Sequence, residues 1–371
     1  MSSSPTSAPS PELLNAARGG DEEAFSRIVE RYRGELHAHC YRMLGSLHDT
    51  EDALQDALLR AWRGLANFKG RDSIRPWLYK IATNACLDVI ARRPKRVLPV
   101  DYGSSADPEE VPGRPIVESV WIEPYPDELI GVDDGPMSPE ATYEQRESVE
   151  LAFTAALQHL PPRQRAVLIM REVLGFSAQE SADTLETTVQ SVNSALQRAR
   201  SAVEDRLPAQ NQQATLRELG DDRVREIVEA YMDAMERGDV KAVVGMLSED
   251  AAWSMPPLAS WYHGRDALEA FLVAGPLSGR FRWKHVATRA NGQAAFGAYT
   301  WHAEVEAYLP FALNVLDLDG DRVKAVTSFI ARSSEVDPDW SVVGVWPDSP
   351  PDAAKVELVF ERFGLPLRLT D

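Results

Sequence analysis

Between Arg60 and Arg96 the chain sets ten Lys or Arg against two acidic residues, Asp72 and Asp88, although its formal net charge is −18. Phe68, Trp77 and Tyr79 lie among those cations. Cations neutralise phosphates and aromatic faces stack on unpaired bases, so this stretch suits the grip on a separated nucleic-acid strand. Taken singly, each residue reads better as a solvated charge or a core aromatic; for the whole run, the reversal of the global charge favours nucleic acid. Just upstream, DTEDALQDALLRAW is amphipathic, with Leu54, Leu58 and Ala61 or Trp62 at helical spacing. Asp52, Gln55 and Asp56, three and four apart, share its other face. A third polar set stands further on. Thr188, Gln190, Asn193, Ser194, Gln197, Arg198 and Arg200 point away from the apolar positions Val189, Val192 and Leu196. Such a set suits base and phosphate contacts in a DNA groove.

The elements that position these residues are mostly helical. Residues 1–20 are rich in Ser, Pro and Gly and are expected to be disordered. Residues 21–97 read as a compact helical domain, opening with a stripe of Phe25, Ile28, Val29, Tyr32, Leu36, Cys40 and Met43. Gly45 and Ser46 end that helix, and Asp49 is expected to cap the next, with Asp52 in its first turn. NFKGRD is a loop, and Ser73 starts a further helix that tolerates Pro76 in its first turn. Residues 98–145 are a linker, rich in Pro, with eleven acidic residues between Asp101 and Glu140 and one basic, Arg114. Its composition predicts an extended, self-repelling segment. Within it, the apolar island VWIEPYPDELIG is expected to dock on this chain or a partner.

Residues 146–207 form a second helical unit. Ser177 caps a short helix with Glu180 three residues on, Glu186-Thr187-Thr188 turns, and a longer helix follows: a helix-turn-helix arrangement. Residues 208–220 are a polar connector. From 221 to 334 the texture changes to two or three helices, then apolar-aromatic runs that predict a four-stranded antiparallel meander with a hairpin at Asp319–Gly320. This is an α+β domain, and 335–371 is a C-terminal tail.

A chain of 371 residues accommodates two or three cores. Its acidity argues against indiscriminate coating of nucleic acid. Two cysteines, Cys40 and Cys86, in apolar helical contexts read as free thiols. No apolar run reaches the length of a membrane span and no signal core is present, so a cytoplasmic protein without membrane contact is expected. No metal-ligand spacing and no catalytic set stands out, so neither cofactor nor catalytic residue is expected.

The strings DTEDALQDALLRAW, SIRPWLYKIATNACLD and LPPRQRAVLIMREVLGFSAQESADTL resemble the core-binding, promoter-melting and helix-turn-helix regions of sigma-70 family RNA polymerase sigma factors. The short form resembles the extracytoplasmic-function (ECF) group. The segment after residue 220 resembles a SnoaL-like cone domain, and HCYRMLGSLHDTEDALQD with WIEPYPDEL resembles the SigG-like members. The resemblance implies a multidomain fold: two all-α sigma domains, regions 2 and 4, followed by an α+β cone. It implies core RNA polymerase and promoter DNA as partners. Asp52, Gln55 and Asp56 match the face that docks on the clamp helices of the largest catalytic subunit. Phe68, Lys69, Arg71, Ser73, Arg75, Trp77, Lys80, Asn84, Arg92 and Arg93 match the segment that opens the −10 element. The helix from Thr188 to Glu204 matches the reader of the −35 element, in a region that also meets the flap of the other large subunit. Asn193 and Ala195 stand where basic residues are frequent in relatives, which implies few phosphate contacts and weak −35 binding without polymerase. The acidic linker resembles the segment that threads toward the polymerase active centre.

In the C-terminal domain, Trp253, Trp261, Tyr262, His263, Tyr299 and Trp301 are candidates for a ligand pocket, and read as well as plain core. The domain is expected to modulate activity by small-molecule or intramolecular regulation. His263, Asp266, His285, His302, Glu304 and Glu306 would be the acid–base candidates of an enzyme, but no base with its orienter can be picked out. The rival reading is a one-component helix-turn-helix regulator with a sensing domain. The polar face at Asp52–Asp56 separates the two, because an operator-binding repressor has no use for it.

Overall fold

The computed structural model describes residues 9–68, 74–108, 115–116, 120–130, 146–207, 211–332 and 350–370. They fall into two compact units: Met1–Arg96 with Glu128–Pro208, and Val97–Asp127 with Ala209–Asp371.

The first unit is helical. It contains α1 (Pro11–Arg18), α2 (Glu22–Leu44), α3 (Leu47–Gly64) and α4 (Ile74–Ile90). Past the segment that joins the second unit come α6 (Leu151–Gln158), α7 (Pro162–Leu168), α8 (Ala178–Thr184) and α9 (Val189–Glu204). The 1–20 expectation is corrected over part of its length. Ser10 caps α1, Pro11 takes its first position, and Leu13, Leu14 and Ala17 pack on the core. Helix α3 also starts earlier than expected. Ser46, not Asp49, is its cap, accepting from the Asp49 N–H at 3.1 Å. The Asp49 carboxylate is thereby left to accept from Arg96 at 2.7 Å, and it pairs with Arg93 as well.

One hydrophobic core runs through all of these helices, from Ile28, Leu36 and Met43 by way of Leu78 and Cys86 to Leu157, Ile169, Val192 and Leu196. The two helical stretches read separately from the sequence therefore share a core. Buried Arg165 of α7 secures the join: it donates to the Met43 carbonyl and to the side chain and carbonyl of Gln158. Its own burial holds its pKa down at about 10. Arg42 donates to the Ser148 carbonyl at 3.0 Å, and Gln158 donates back to the Arg42 carbonyl at 3.2 Å. Gly45 closes α2 at φ 67°, where a Cβ would stand 3.2 Å from the Gln158 side chain. Only glycine meets both conditions without strain.

The second unit is an α+β fold. A six-stranded sheet has the order β2-β1-β6-β5-β4-β3, with β1 Leu247–Ser254, β2 Trp261–His263, β3 Trp283–Ala290, β4 Gln293–His302, β5 Ala307–Asp319 and β6 Arg322–Ile330. Strands β3 to β6 are the expected meander, turning at Gly320 between β5 and β6. Strand β1 adds to β6 in parallel and β2 pairs with β1, which the runs of apolar residues did not reveal. Helices α10 (Gln212–Leu219), α11 (Asp221–Glu236), α12 (Val240–Met246) and α13 (Arg265–Ala274) supply the other layer. Ile227, Tyr231, Leu268 and Leu272 meet Trp253, Phe296, Leu316 and Val326 in its core.

Two further segments belong to this unit. The described residues of 97–127, including the one-turn helix α5 (Pro99–Tyr102), lie on it. The Trp261 indole donates to the Gly103 carbonyl at 2.9 Å, and Ala106 N–H donates to the Trp261 carbonyl at 2.8 Å. Ile122 and Tyr125 of the apolar island are fully buried. Tyr125 N–H donates to Asn291 Oδ1 at 2.8 Å, and Asn291 N–H donates to the Tyr125 carbonyl at 2.7 Å. Asp127 accepts from Arg289 at 3.0 Å and from Gly292 N–H at 2.7 Å. The described part of the linker's first half is thus fitted to a surface, because paired backbone groups and buried aromatics outweigh its charge. Residues 350–370, within the expected tail, form α14 (Ala353–Val359) and a strap whose Leu369 bridges to Tyr308. A Cβ on Gly297 would stand 2.8 Å from Leu365, so the strap packs closely on the sheet.

Candidate nucleic-acid interface

Helix α3 buries Ala53, Leu54, Ala57 and Ala61 and leaves Asp52, Gln55 and Asp56 exposed, one polar strip along its outer face. The strip carries an apolar residue that the periodicity did not single out. Leu59, four residues after Gln55, is 49% exposed. The register of the buried alanines turns it outward. Asp52 lies 3.7 Å from His48, and Asp56 is 2.6 Å from Arg60, both with solvent around them. Such exposed pairs cost little to exchange for an intermolecular partner.

Helix α4 is different. Of the residues matched to −10 opening, Lys69, Arg71 and Ser73 lie outside the described residues. Phe68 is 7% exposed and packs at a tilt against Trp77 with centroids 5.0 Å apart, so this aromatic pair fills a core edge. Arg75 donates to Glu35 from two nitrogens, at 2.9 and 2.7 Å, and lies over Tyr79 and Phe176, each 5.1 Å from its guanidinium carbon. Tyr79 donates to the same carboxylate at 3.0 Å, and burial pushes its phenol well above the ordinary range. Lys80 pairs with Glu186 of the helix-turn-helix turn at 2.9 Å. Arg93 pairs with buried Asp49. Asn84 and Arg92 are exposed. On its inner side α4 presents Thr83 to His39 at 2.9 Å. Burial, then the charges of Arg42 and Arg75, holds that imidazole down at about 3, hence neutral.

The helix-turn-helix forms as its spacing predicts. Ser177 and Glu180 make a reciprocal capping box on α8, with Ser177 N–H donating to Glu180 at 2.7 Å and Glu180 N–H to Ser177 Oγ at 3.1 Å. Glu186 takes φ 52° in the turn. Thr188 caps α9, its hydroxyl accepting from Ser191 N–H at 3.1 Å and donating to Ser191 Oγ at 3.0 Å. Val192, Leu196, Ala199 and Val203 are buried, and Gln190, Asn193, Ser194, Gln197, Arg198 and Arg200 are exposed. Arg200 pairs with Glu172 at 2.6 Å. An open groove of about 440 Å³ runs along Asn193, Leu196, Gln197, Arg200, Ser201 and Glu204.

In the second unit the pocket candidates do not gather. Trp253 and Tyr262 both pack on Phe271, the latter stacked at 4.5 Å. The Trp253 indole donates to Ser328 at 2.8 Å inside the core. Trp261 and His263 sit on the short edge strand β2, where Trp261 holds the 97–127 segment. Tyr299 meets Phe360 of the strap, and Trp301 lies between Tyr308 and Arg282. The acid–base candidates are equally scattered. His285 is buried between Trp283 and Phe296, with Glu236 3.4 Å away. His302 ends β4 beside Thr300 and Arg332, and Glu304 and Glu306 belong to the following turn rather than to the strand. Among the described residues no group of His, Cys, Asp and Glu could hold a metal ion, and no helix is long and apolar enough to cross a membrane.

Comparison with known proteins places these units. Residues 28–96 match the Sigma-70 region 2 family, 150–203 the Sigma-70 region 4 family, and 228–340 the SnoaL-like domain. The ECF RNA polymerase sigma factor SigG of Mycobacterium tuberculosis is 42% identical over 317 residues, covering 84% of this chain and 82% of its own. SigW of Bacillus subtilis is 28% identical over 52% of this chain and 94% of its own. Among solved structures, the M. tuberculosis extracytoplasmic function sigma factor SigJ superposes with a TM-score of 0.51 at 20% identity, covering 86% of this chain and 98% of that one. With both sigma regions matched in order, and that extent of identity to a full-length relative carrying through to the C-terminal domain, the chain belongs to the ECF RNA polymerase sigma factors, with a SnoaL-like domain fused behind region 4.

Proposed function

We propose that this sigma factor docks on core RNA polymerase through the outer face of α3 and reads promoter DNA only from that bound state. Asp52, Gln55, Asp56 and Leu59 form the docking strip, the end of α4 serves the opened −10 strand, and α9 serves the −35 element. The observation that carries the reading is the unequal availability of the two surfaces. The α3 strip is exposed, whereas Arg75 and Arg93 are held by the part-buried Glu35 and the buried Asp49 of the same unit, and Lys80 meets Glu186 in an exposed pair. Polymerase supplies the interaction that lets those cations change partners, and captured bases then contribute roughly 1–3 kcal/mol each by stacking. No bond is made or broken by this chain; its part in initiation is positional, and its C-terminal domain acts without catalysis.

That domain modulates initiation through residues 97–127, the segment between the two sigma regions, which it holds by Trp261, Asn291 and Arg289. Run-off transcription with purified core polymerase tests both parts. The full chain directs promoter-specific transcripts. Asn291→Ala, which removes the acceptor of the Tyr125 N–H, changes transcript yield at least twofold with holoenzyme formation intact. Absence of specific initiation by the full chain, together with tight unaided operator binding, sinks the first reading; an unchanged yield sinks the second.

A further inference from the structure

We infer that α9 selects adenine, and that Gln190 and Gln197, with Asn193 at their side, set base preference in the −35 element. The inference rests on the reading of α9 as the −35 helix and adds what that helix prefers. The buried stripe of Val192, Leu196, Ala199 and Val203 fixes the rotation of the helix. Opposite it, at spacings of four and three, stand Gln190, Ser194 and Gln197, all exposed. Asn193 is exposed on one flank and Arg198 on the other.

Two of the residues expected at the DNA stand off that strip. The Thr188 hydroxyl caps the helix, and Arg200 lies seven residues beyond Asn193 on the same flank, where it meets Glu172. The central strip is left with two amides and a hydroxyl, and no cation stands on it. Guanine is selected through O6 and N7 by Arg or Lys, whereas the Asn or Gln amide meets adenine, donating to N7 and accepting from N6. A serine hydroxyl serves either and discriminates little. Recognition helices of this motif place their N-terminal residues at the base edges, which favours Gln190 and Asn193, and Arg198 is set apart from Gln197 by its place on the flank of the strip. Arg198 suits a phosphate at the groove edge.

The spacing sets the size of the window. Seven residues of helix rise about 10.5 Å, which is about three base-pair steps of 3.4 Å. Gln190 and Gln197 thus address bases at opposite ends of a window of about four base pairs, with Asn193 between them.

Transcription selection with reconstituted holoenzyme and a randomised −35 region tests this. The full chain enriches adenine about tenfold or more at two or more positions within one four-base-pair window. Gln197→Arg moves the preferred base at one of those positions from adenine to guanine. Replacing that adenine by 7-deazaadenine, which lacks the N7 acceptor, lowers initiation by the natural chain about tenfold and that of Gln197→Ala by no more than twofold. Enrichment of guanine across the window overturns the inference. So does a selection unaltered by Gln190→Ala and Gln197→Ala but relaxed by Arg198→Ala. Initiation without any −35 base preference overturns it while leaving the sigma reading standing; failure to initiate on every template overturns both.

Discussion

Helices α3 and α4 are neighbours in the same core, yet they meet the outside on opposite terms. Helix α3 turns Asp52, Gln55, Asp56 and Leu59 to solvent, and its ion pairs are exposed. Helix α4 is the more basic, but Arg75 is shared between a carboxylate and two aromatic rings, and Lys80 reaches the helix-turn-helix turn. Exposed pairs of the first kind are worth about 0–1 kcal/mol, so α3 can be recruited at small cost. The partly buried Arg75–Glu35–Tyr79 cluster is worth more, because breaking it strands groups with little water around them. On the proposed reading the difference orders events: the α3 face meets polymerase first, and the α4 face meets DNA after it. The global charge of −18 agrees, since it opposes encounters of the free chain with DNA.

Charge reversal on the ready face has the largest expected effect. Asp52→Arg weakens association with core polymerase on the order of a thousandfold, measured by co-elution or fluorescence anisotropy, with far-UV circular dichroism and Tm unchanged. Retained binding would show that α3 is not the docking face. Acid attacks α4 from its buried side. His39 is held at about 3 against an ordinary 6.5, so the unfolded chain takes up a proton in a window where the folded one does not. Stability is then full above about pH 6.5 and falls progressively as pH drops toward 3, by at most about 5 kcal/mol, in denaturant titrations. His39→Gln flattens that slope; an equal slope in both proteins would contradict the account.

Glu35→Gln removes the carboxylate that holds Arg75 and Tyr79. It costs about 2 kcal/mol of folding stability, read from the urea midpoint. A loss no greater than that of an exposed pair would erase the contrast between the two helices. The smallest effect belongs to the exposed Glu186. Glu186→Ala frees Lys80 with a stability change below about 0.5 kcal/mol and raises holoenzyme affinity for promoter DNA about twofold. A fall in affinity would show that the Lys80–Glu186 pair supports the DNA-bound state instead of competing with it.

Local pattern made the helices, the helix-turn-helix and the strands of the meander legible. Buried stripes at 3.6-residue spacing, the Ser177–Glu180 box and the turn at Gly320 are all written within a few residues of where they act. What stayed hidden depends on distant partners. Nothing around Arg165 announces that its guanidinium reaches the end of α2, and nothing around Glu186 announces Lys80. The apolar island around Tyr125 stood out as a docking segment, but its seat on the β3–β4 hairpin did not, because the partner groups lie more than 160 residues away. The strap over Gly297 likewise meets a strand distant in the chain. Among the site residues, type and spacing marked the α3 strip and the α9 face. They also marked Phe68, Arg75 and Thr188, which in the fold serve as core, ion pair and cap.

On the proposed reading, promoter DNA is gripped only by the polymerase-bound protein. Fluorescence anisotropy with a labelled promoter fragment, titrated with the free full-length chain and with the holoenzyme at the same salt, tests it directly. The account predicts saturable, sequence-specific binding by the holoenzyme and only weak, sequence-independent binding by the free chain. Specific binding by the free chain at an affinity equal to that of the holoenzyme would contradict it.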